Sequence, residues 1–326
     1  MKKAISLLLL LLSLTATAQT RKVGSFIITR ENGHTRAMEC FGGTTEGGSW
    51  YSDALNSYRR ALPDSVRLYS MIIPSAVAFY CPDEARKWTK DEAAVIRAIY
   101  GRMDSGVTTV DAYSALLPHT AEPIYSRTDH HYAPLGAYYC AGEFARVAGV
   151  PFLSLDDYEA RTIHRYVGSL GRWTKDAAVK KDPEDFVYYV PRDTNYTVTY
   201  RAHQLNGRRV TGVSEPFSGP FFLSYKDGSG SAYLTFMGGD IRTTHVHTGA
   251  NTGRRLLIIK DSYGNALPGY LFQAFSDIYV TDFRYFTRNI IDYARENHIT
   301  DLLIANNLLH AYAKSTATGL LKMLEQ

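Results

Sequence analysis

Short apolar runs and helical stripes alternate along the chain, separated by turn residues. Residues 26–29 form a short apolar run. Over 50–62, Leu55, Tyr58 and Leu62 share one stripe, as the 3.6-residue period of a helix requires. Residues 66–73 read as a strand, ended by Pro74, which has no N–H to give a ladder. A second helix is expected over 90–103, with Ala94, Ile96, Ile99 and Tyr100 inward, and a short strand at 107–110. Pro134 suits a first helical turn, where a missing N–H costs nothing. Leu135, Tyr138, Tyr139 and Phe144 continue that helix's inward stripe, and Gly149 can close it.

From about 161 to 240 the pattern changes. Alternating or aromatic runs at 186–190, 196–200, 221–225 and 232–237, with turn signals at Asn206-Gly207 and Asp227-Gly228, predict a β-rich insertion. Alternation then returns. A strand is expected at 255–260, a sharp turn at 261–265 opening a helix, a strand at 278–280, a helix at 290–297, a strand at 301–305 and a final helix to about 324. Strand–helix alternation implies a parallel sheet with helices on both faces, an α/β domain of three layers.

The chain opens with the basic Met1-Lys2-Lys3, an apolar run over 4–14 and the small-residue site Ala16-Thr17-Ala18. This is the pattern of a signal peptide over 1–18, cleaved after about Ala18, with export to the periplasm or the cell exterior. The apolar run is far short of the roughly 20 residues that span a bilayer. Residues 19–326 then make one domain carrying the insertion. The 45% hydrophobic content is that of a globular protein. A net charge of +4 without a dense basic tract argues against a nucleic-acid partner. The pairs Arg59-Arg60, Lys180-Lys181, Arg208-Arg209 and Arg254-Arg255 are scattered and read as solvated surface. Cys40, Cys81 and Cys140 allow at most one internal disulfide, and none forms the C-x-x-C pair of a zinc site.

Ser262 follows a strongly apolar strand, and in open α/β sheets ligands gather at the carboxyl ends of strands. A serine there reads by default as a helix cap. Asp129 and His131, just ahead of the Pro134 helix, alter that balance. A serine hydroxyl needs a base, histidine is the usual one, and a carboxylate holds the ring in the useful tautomer.

Asp129-His130-His131-Tyr132, followed by Pro134-Leu135-Gly136-Ala137, resembles the signature of the DHHW protein family. That family is similar to the catalytic domains of periplasmic alginate O-acetyltransferases, which are SGNH-hydrolase-like. Lys260-Asp261-Ser262-Tyr263 matches their strand-end serine motif, and Gly238-Gly239-Asp240 and Asp282-Phe283-Arg284-Tyr285 match as well. The family's tryptophan is Tyr132 here, which puts the local packing or the acyl pocket in question.

The resemblance implies an SGNH-like fold with Ser262 as nucleophile, His131 as base and Asp129 orienting it. It implies O-acetyl transfer, or ester hydrolysis, on an extracellular or envelope polysaccharide, with no cofactor or metal. It further implies a membrane-bound O-acyltransferase as acyl source. Ser262 N–H, Gly239 and Asn265 are the expected oxyanion donors, and Tyr132 and Arg284 the expected substrate contacts.

Two other readings stay open. His130-His131 with His245-x-His247 offers ligands for a metal-dependent hydrolase. Asp-His-His also belongs to the DHH phosphoesterases, but their upstream aspartate cluster is missing. A degenerate SGNH-like fold with 24 tyrosines offers a non-catalytic glycan-binding module. Gly42-Gly43 and Gly47-Gly48 lack the Lys-Ser/Thr of a phosphate cradle and read as a flexible loop.

Overall fold

The computed structural model describes residues 20–192 and 195–326, and the expected leader lies outside them. The first strands, β1 (Arg21–Val23), β2 (Phe26–Glu31) and β3 (His34–Glu39), form an antiparallel sheet of their own. The rest are β4 (Arg67–Ile73), β5 (Val107–Val110), β6 (Tyr158–Tyr166), β7 (Glu184–Pro191), β8 (Tyr196–Asn206), β9 (Arg209–Val213), β10 (Phe217–Ser218), β11 (Arg242–Thr248), β12 (Arg255–Lys260), β13 (Asp277–Asp282) and β14 (Asp301–Asn307).

A nine-stranded sheet organises the molecule, in the order β10-β8-β11-β13-β12-β14-β4-β5 with β9 pairing β8. From β13 through β5 every pairing is parallel. Leu256 to Ile259 of β12 and Leu302 to Ala305 of β14 are fully buried. Continuous apolar runs of this kind mark strands covered on both faces. Each Leu or Ile so buried contributes about 1.5–3 kcal/mol relative to exposure. One group of packed helices comprises Ser49–Ala61, Glu92–Tyr100 and Lys314–Glu325, and another Ala112–Leu116 and Pro134–Ala148. Among the described residues no helix is long and apolar enough to cross a membrane.

The sheet is not wholly parallel, where a purely parallel one was expected. β8 pairs antiparallel with β11, and β11 with β13, so β8, with β9 and β10 beside it, extends the central sheet. Within this stretch β6 and β7 form a two-stranded sheet apart from the central one. Asn206-Gly207 does turn the β8–β9 hairpin. The runs at 221–225 and 232–237 meet in a single bridge, Phe222 to Phe236, and Ala232–Thr235 is a 3-10 turn. Their aromatic rings are used for packing: Phe221 and Phe236 are buried in the main core. A satellite core of Ile28, Ala37, Leu170 and Val179 ties the β1–β3 sheet to the helices Ser169–Trp173 and Ala177–Lys180.

Candidate functional site

The carboxyl ends of β12, β13 and β14 lie side by side, with Lys260 in register with both Asp282 and Ala305. Ser262 stands just past β12, on a four-residue 3-10 turn rather than the expected α-helix. The Asp261 carboxylate shapes this turn, accepting from Tyr263 N–H at 2.9 Å and from Asn307 N–H at 2.8 Å. Gly264 N–H donates to the Asp261 carbonyl at 3.0 Å, and a side chain at 264 would collide with that of Lys260. Ser262 is part-exposed amid buried neighbours. Among the described residues its N–H has no acceptor.

Asp129 and His131 reach this turn from the approach loop of the helix Pro134–Ala148. His131 Nε2 lies 2.8 Å from Ser262 Oγ, and His131 Nδ1 lies 2.6 Å from Asp129 Oδ1. Asp129 Oδ1 also accepts His131 N–H at 3.0 Å, and Oδ2 accepts Ser169 N–H at 2.7 Å. A carboxylate can only accept, so Nδ1 of a neutral ring carries the proton and Nε2 is left to accept from the serine. Burial pushes the Asp129 carboxyl up. The charge and hydrogen bond of His131, with His130 and Ser169, outweigh burial and hold it well below the usual carboxylate range. His130 is pushed down to about 3 by burial and by the charge of His131, which keeps it neutral.

Several supporting residues carried no signal in the sequence. The Tyr233 ring stacks on His131 at 3.7 Å and 7° between planes. Its hydroxyl donates to the carbonyls of Ser262 (3.0 Å) and Tyr263 (3.1 Å), so one side chain holds both base and serine turn. The Tyr263 hydroxyl donates to the His130 carbonyl. Glu184 of β7 accepts from Arg127 N–H, Thr128 N–H and Thr128 Oγ1 at 2.8, 2.7 and 2.6 Å, anchoring the loop ahead of Asp129. A Cβ at Gly168 would run into the Asp129 side chain, so glycine there admits the carboxylate.

Other expected residues fall elsewhere. Gly239 N–H donates to the Phe236 carbonyl at 3.1 Å, so it has no hydrogen to spare for an oxyanion. Asn265 Nδ2 donates to Asp240 at 2.8 Å and retains a second hydrogen. Tyr132 is wholly buried between Tyr125 and Tyr263 and offers no surface to a substrate. Arg284 was expected to meet substrate, but its guanidinium is engaged by Asp282 at 2.6 Å and Asp240 at 2.9 Å. Buried Lys260 joins the same two carboxylates, at 3.1 Å from Asp240 and 3.2 Å from Asp282. Burial raises Asp240, and the charges of Lys260 and Arg284 outweigh it and hold the carboxyl low. The Gly-Gly-Asp and Asp-Phe-Arg motifs therefore brace the serine turn from below.

The histidines of the metal reading are split between the two ends of the sheet. His245 and His247 both bond Asp277, at 2.8 and 3.0 Å, where β13 begins. Asp129, His130 and His131 present ligand atoms within 4.8 Å of one another. Two ligands at zinc bond lengths in a tetrahedron stand about 3.3 Å apart. The 2.6 Å between Asp129 and His131 is instead a hydrogen-bond distance. The loop at 42–48 lies against the Tyr312 ring, whose hydroxyl accepts Thr44 N–H at 3.1 Å, so it is anchored rather than free. The three cysteines are free thiols.

The model of the DHHW protein family matches residues 37–281. The chain belongs to the DHHW family. A DHHW family protein from Eubacterium siraeum is 35% identical, with a TM-score of 0.83 over 93% of this chain and 96% of that one. Bacillus cereus PatB1, solved with a sulfonyl adduct, is 18% identical, with a TM-score of 0.68 over 90% of this chain and 98% of that one. At that identity the likeness is one of fold. The O-acetyltransferase domain of Pseudomonas putida AlgJ is 12% identical, with a TM-score of 0.45 over 93% of this chain and 97% of that one. No curated protein matches significantly by sequence.

Proposed function

We propose that this DHHW protein is an exported serine acyltransferase or esterase that moves acetyl groups on an extracellular or envelope polysaccharide. The observation that carries this reading is the unbroken chain from Asp129 through His131 to Ser262, with links of 2.6 and 2.8 Å, ending beside an uncommitted Ser262 N–H. On this reading the scaffold is a three-layer SGNH-like domain. Ser262 Oγ attacks the acyl carbonyl carbon while its proton passes to His131 Nε2. Asp129 keeps the ring oriented and stabilises its charge. The oxyanion accepts from Ser262 N–H and from the second hydrogen of Asn265 Nδ2. The leaving oxygen takes the proton from His131 as the acyl-serine forms. A sugar hydroxyl, or water, then attacks the acyl-serine carbonyl and gives its proton to His131, which passes it to Ser262 Oγ as the bond from the acyl carbon to that oxygen breaks, freeing the serine.

Outside the cytosol acyl-CoA is not at hand, so transfer needs an acyl group delivered across the membrane. A membrane-bound O-acyltransferase supplies that step in this reading. The sulfonyl adduct of the similarly folded PatB1 supports a nucleophile, because sulfonyl electrophiles trap activated hydroxyl groups. The test is intact-mass labelling with phenylmethylsulfonyl fluoride, together with turnover of a chromogenic acetyl ester. The native chain should take one adduct, and Ser262→Ala should lose both adduct and turnover while keeping its melting temperature. Labelling or full turnover in Ser262→Ala overturns the assignment. Adding candidate glycans to the ester assay then separates transfer from hydrolysis.

A further inference from the structure

We infer that the cleft beside the serine turn, between the β8–β9 tip and the helix Lys314–Glu325, binds an anionic stretch of the polysaccharide acceptor. The relevant groups are carboxylates or phosphates carried on the glycan. This inference rests on the Ser262 reading above and adds to it the charge of the acceptor.

The cleft has a volume of about 720 Å³, within the range of ligand sites. Arg208 and Arg209 line one wall at the hairpin tip, Lys322 another, and Arg284 and His310 the end nearest the serine turn. No aspartate or glutamate lines it. Arg284 is already matched by Asp240 and Asp282. Among the described residues, Arg208, Arg209 and Lys322 have no carboxylate partner within salt-bridge distance. In sequence Arg208-Arg209 is one scattered basic pair among four. Folding sets it across a cavity from Lys322, more than a hundred residues later. Like charges facing a shared concavity repel one another, and an anionic ligand relieves that repulsion.

His310 links this cleft to the nucleophile. Its Nδ1 lies 2.7 Å from Asp261 Oδ2, and Asp261 immediately precedes Ser262. The ring's side chain is 41% exposed. Burial lowers its basicity, but the bond and charge of Asp261 outweigh burial and raise it. An acceptor held here by its anionic groups places neighbouring hydroxyls beside the serine turn.

The test uses the full chain carrying Ser262→Ala, so binding is read without turnover. Calorimetry at low salt compares oligogalacturonate, a glycerol-phosphate oligomer and a neutral xylo-oligosaccharide. At least one anionic probe should bind, with affinity that falls as salt rises, and the neutral one should not. The stronger of the two anionic probes identifies carboxylate or phosphate as the recognised group. Adding R208A/R209A should weaken binding roughly tenfold. Adding K180A/K181A, which removes the same charge elsewhere on the surface, should leave binding unchanged. Equal binding of the neutral sugar, no binding of either anionic glycan, or equal weakening by K180A/K181A overturns the inference. So does single-stranded DNA binding as tightly as the glycans. Sulfonyl labelling of the native chain reports separately on Ser262, so the two readings fail in distinguishable ways.

Discussion

Tyr233 is the residue on which the two halves of the site depend together. Tyr233→Phe removes one hydroxyl, whose single proton is shared between the Ser262 and Tyr263 carbonyls at 3.0 and 3.1 Å. The ring, and its 3.7 Å stack on His131, remain. Depriving buried acceptors of a hydrogen bond costs about 1–3 kcal/mol. Part of this should appear as a melting temperature lower by a few degrees, since roughly 2–4 °C per kcal/mol holds for chains of about 150–250 residues and somewhat less for a longer one. If about 1.4 kcal/mol is lost from the placement of Ser262, sulfonyl labelling slows about tenfold. Tyr233→Leu also removes the stack, worth about 0.5–1.5 kcal/mol, and should slow labelling by a further two- to tenfold. The assay is the second-order rate of adduct formation by mass spectrometry, beside a thermal melt. A Tyr233→Phe chain that melts lower but labels at the native rate would refute the positioning role and leave the hydroxyl a purely structural bond.

Three further outcomes follow from the same geometry. The His310 imidazole is raised by Asp261, so its stabilising contribution is complete below the ordinary histidine range and is lost as pH rises through its raised value. The melting-temperature gap between the native chain and His310→Asn should therefore be widest near pH 5.5–6 and narrow toward pH 9, and a gap independent of pH counts against the pair. Burial lifts the Glu92 carboxyl to about 7 against the two hydrogen bonds from Ser75. The folded chain thus keeps a proton that the unfolded chain releases above about 4.5, and stability falls as pH rises between those values. Relative to the native chain, Glu92→Gln should gain up to about 3 kcal/mol in going from pH 4.5 to pH 8, read by urea unfolding at the two pH values. Gly168→Ala drives a Cβ into Asp129 and should cost about 1–3 kcal/mol of stability. It should also slow sulfonyl labelling, whereas an unchanged labelling rate would mean that Asp129 relaxes freely.

The chain order already located much of this. Residues 255–260 and 301–305 are unbroken apolar runs of strand length, and a run of that kind is stable only when covered on both sides. Asp129 and His131 sit two residues apart on the loop before a proline-started helix, so their pairing needs only local geometry. Ser262 is marked by the end of its strand. The β-rich stretch was legible as strand but not as part of the central sheet, because alternation gives a strand its faces and says nothing of its neighbours. Only the register of β8 on β11, and β11 on β13, joined it to the parallel half.

What the sequence by itself determined is what depends on neighbours a few residues away: the periodic helices, the buried strands, the Asp-x-His step and the serine at a strand end. Tertiary structure decided the rest. It set Tyr233 on His131 across 102 positions, Glu184 under Thr128, His310 against Asp261, and Arg208 and Arg209 opposite Lys322. It also withdrew Tyr132 and Arg284 from the roles their motifs suggested, by packing a buried ring against Tyr263 and pairing a guanidinium with Asp240, both remote in sequence, whereas Gly239 is withdrawn by a local bond from its N–H to the Phe236 carbonyl. The physical reason is that propensity and spacing act along the chain, whereas burial, ladder register and charge pairing are settled between segments that meet only once the sheet has formed.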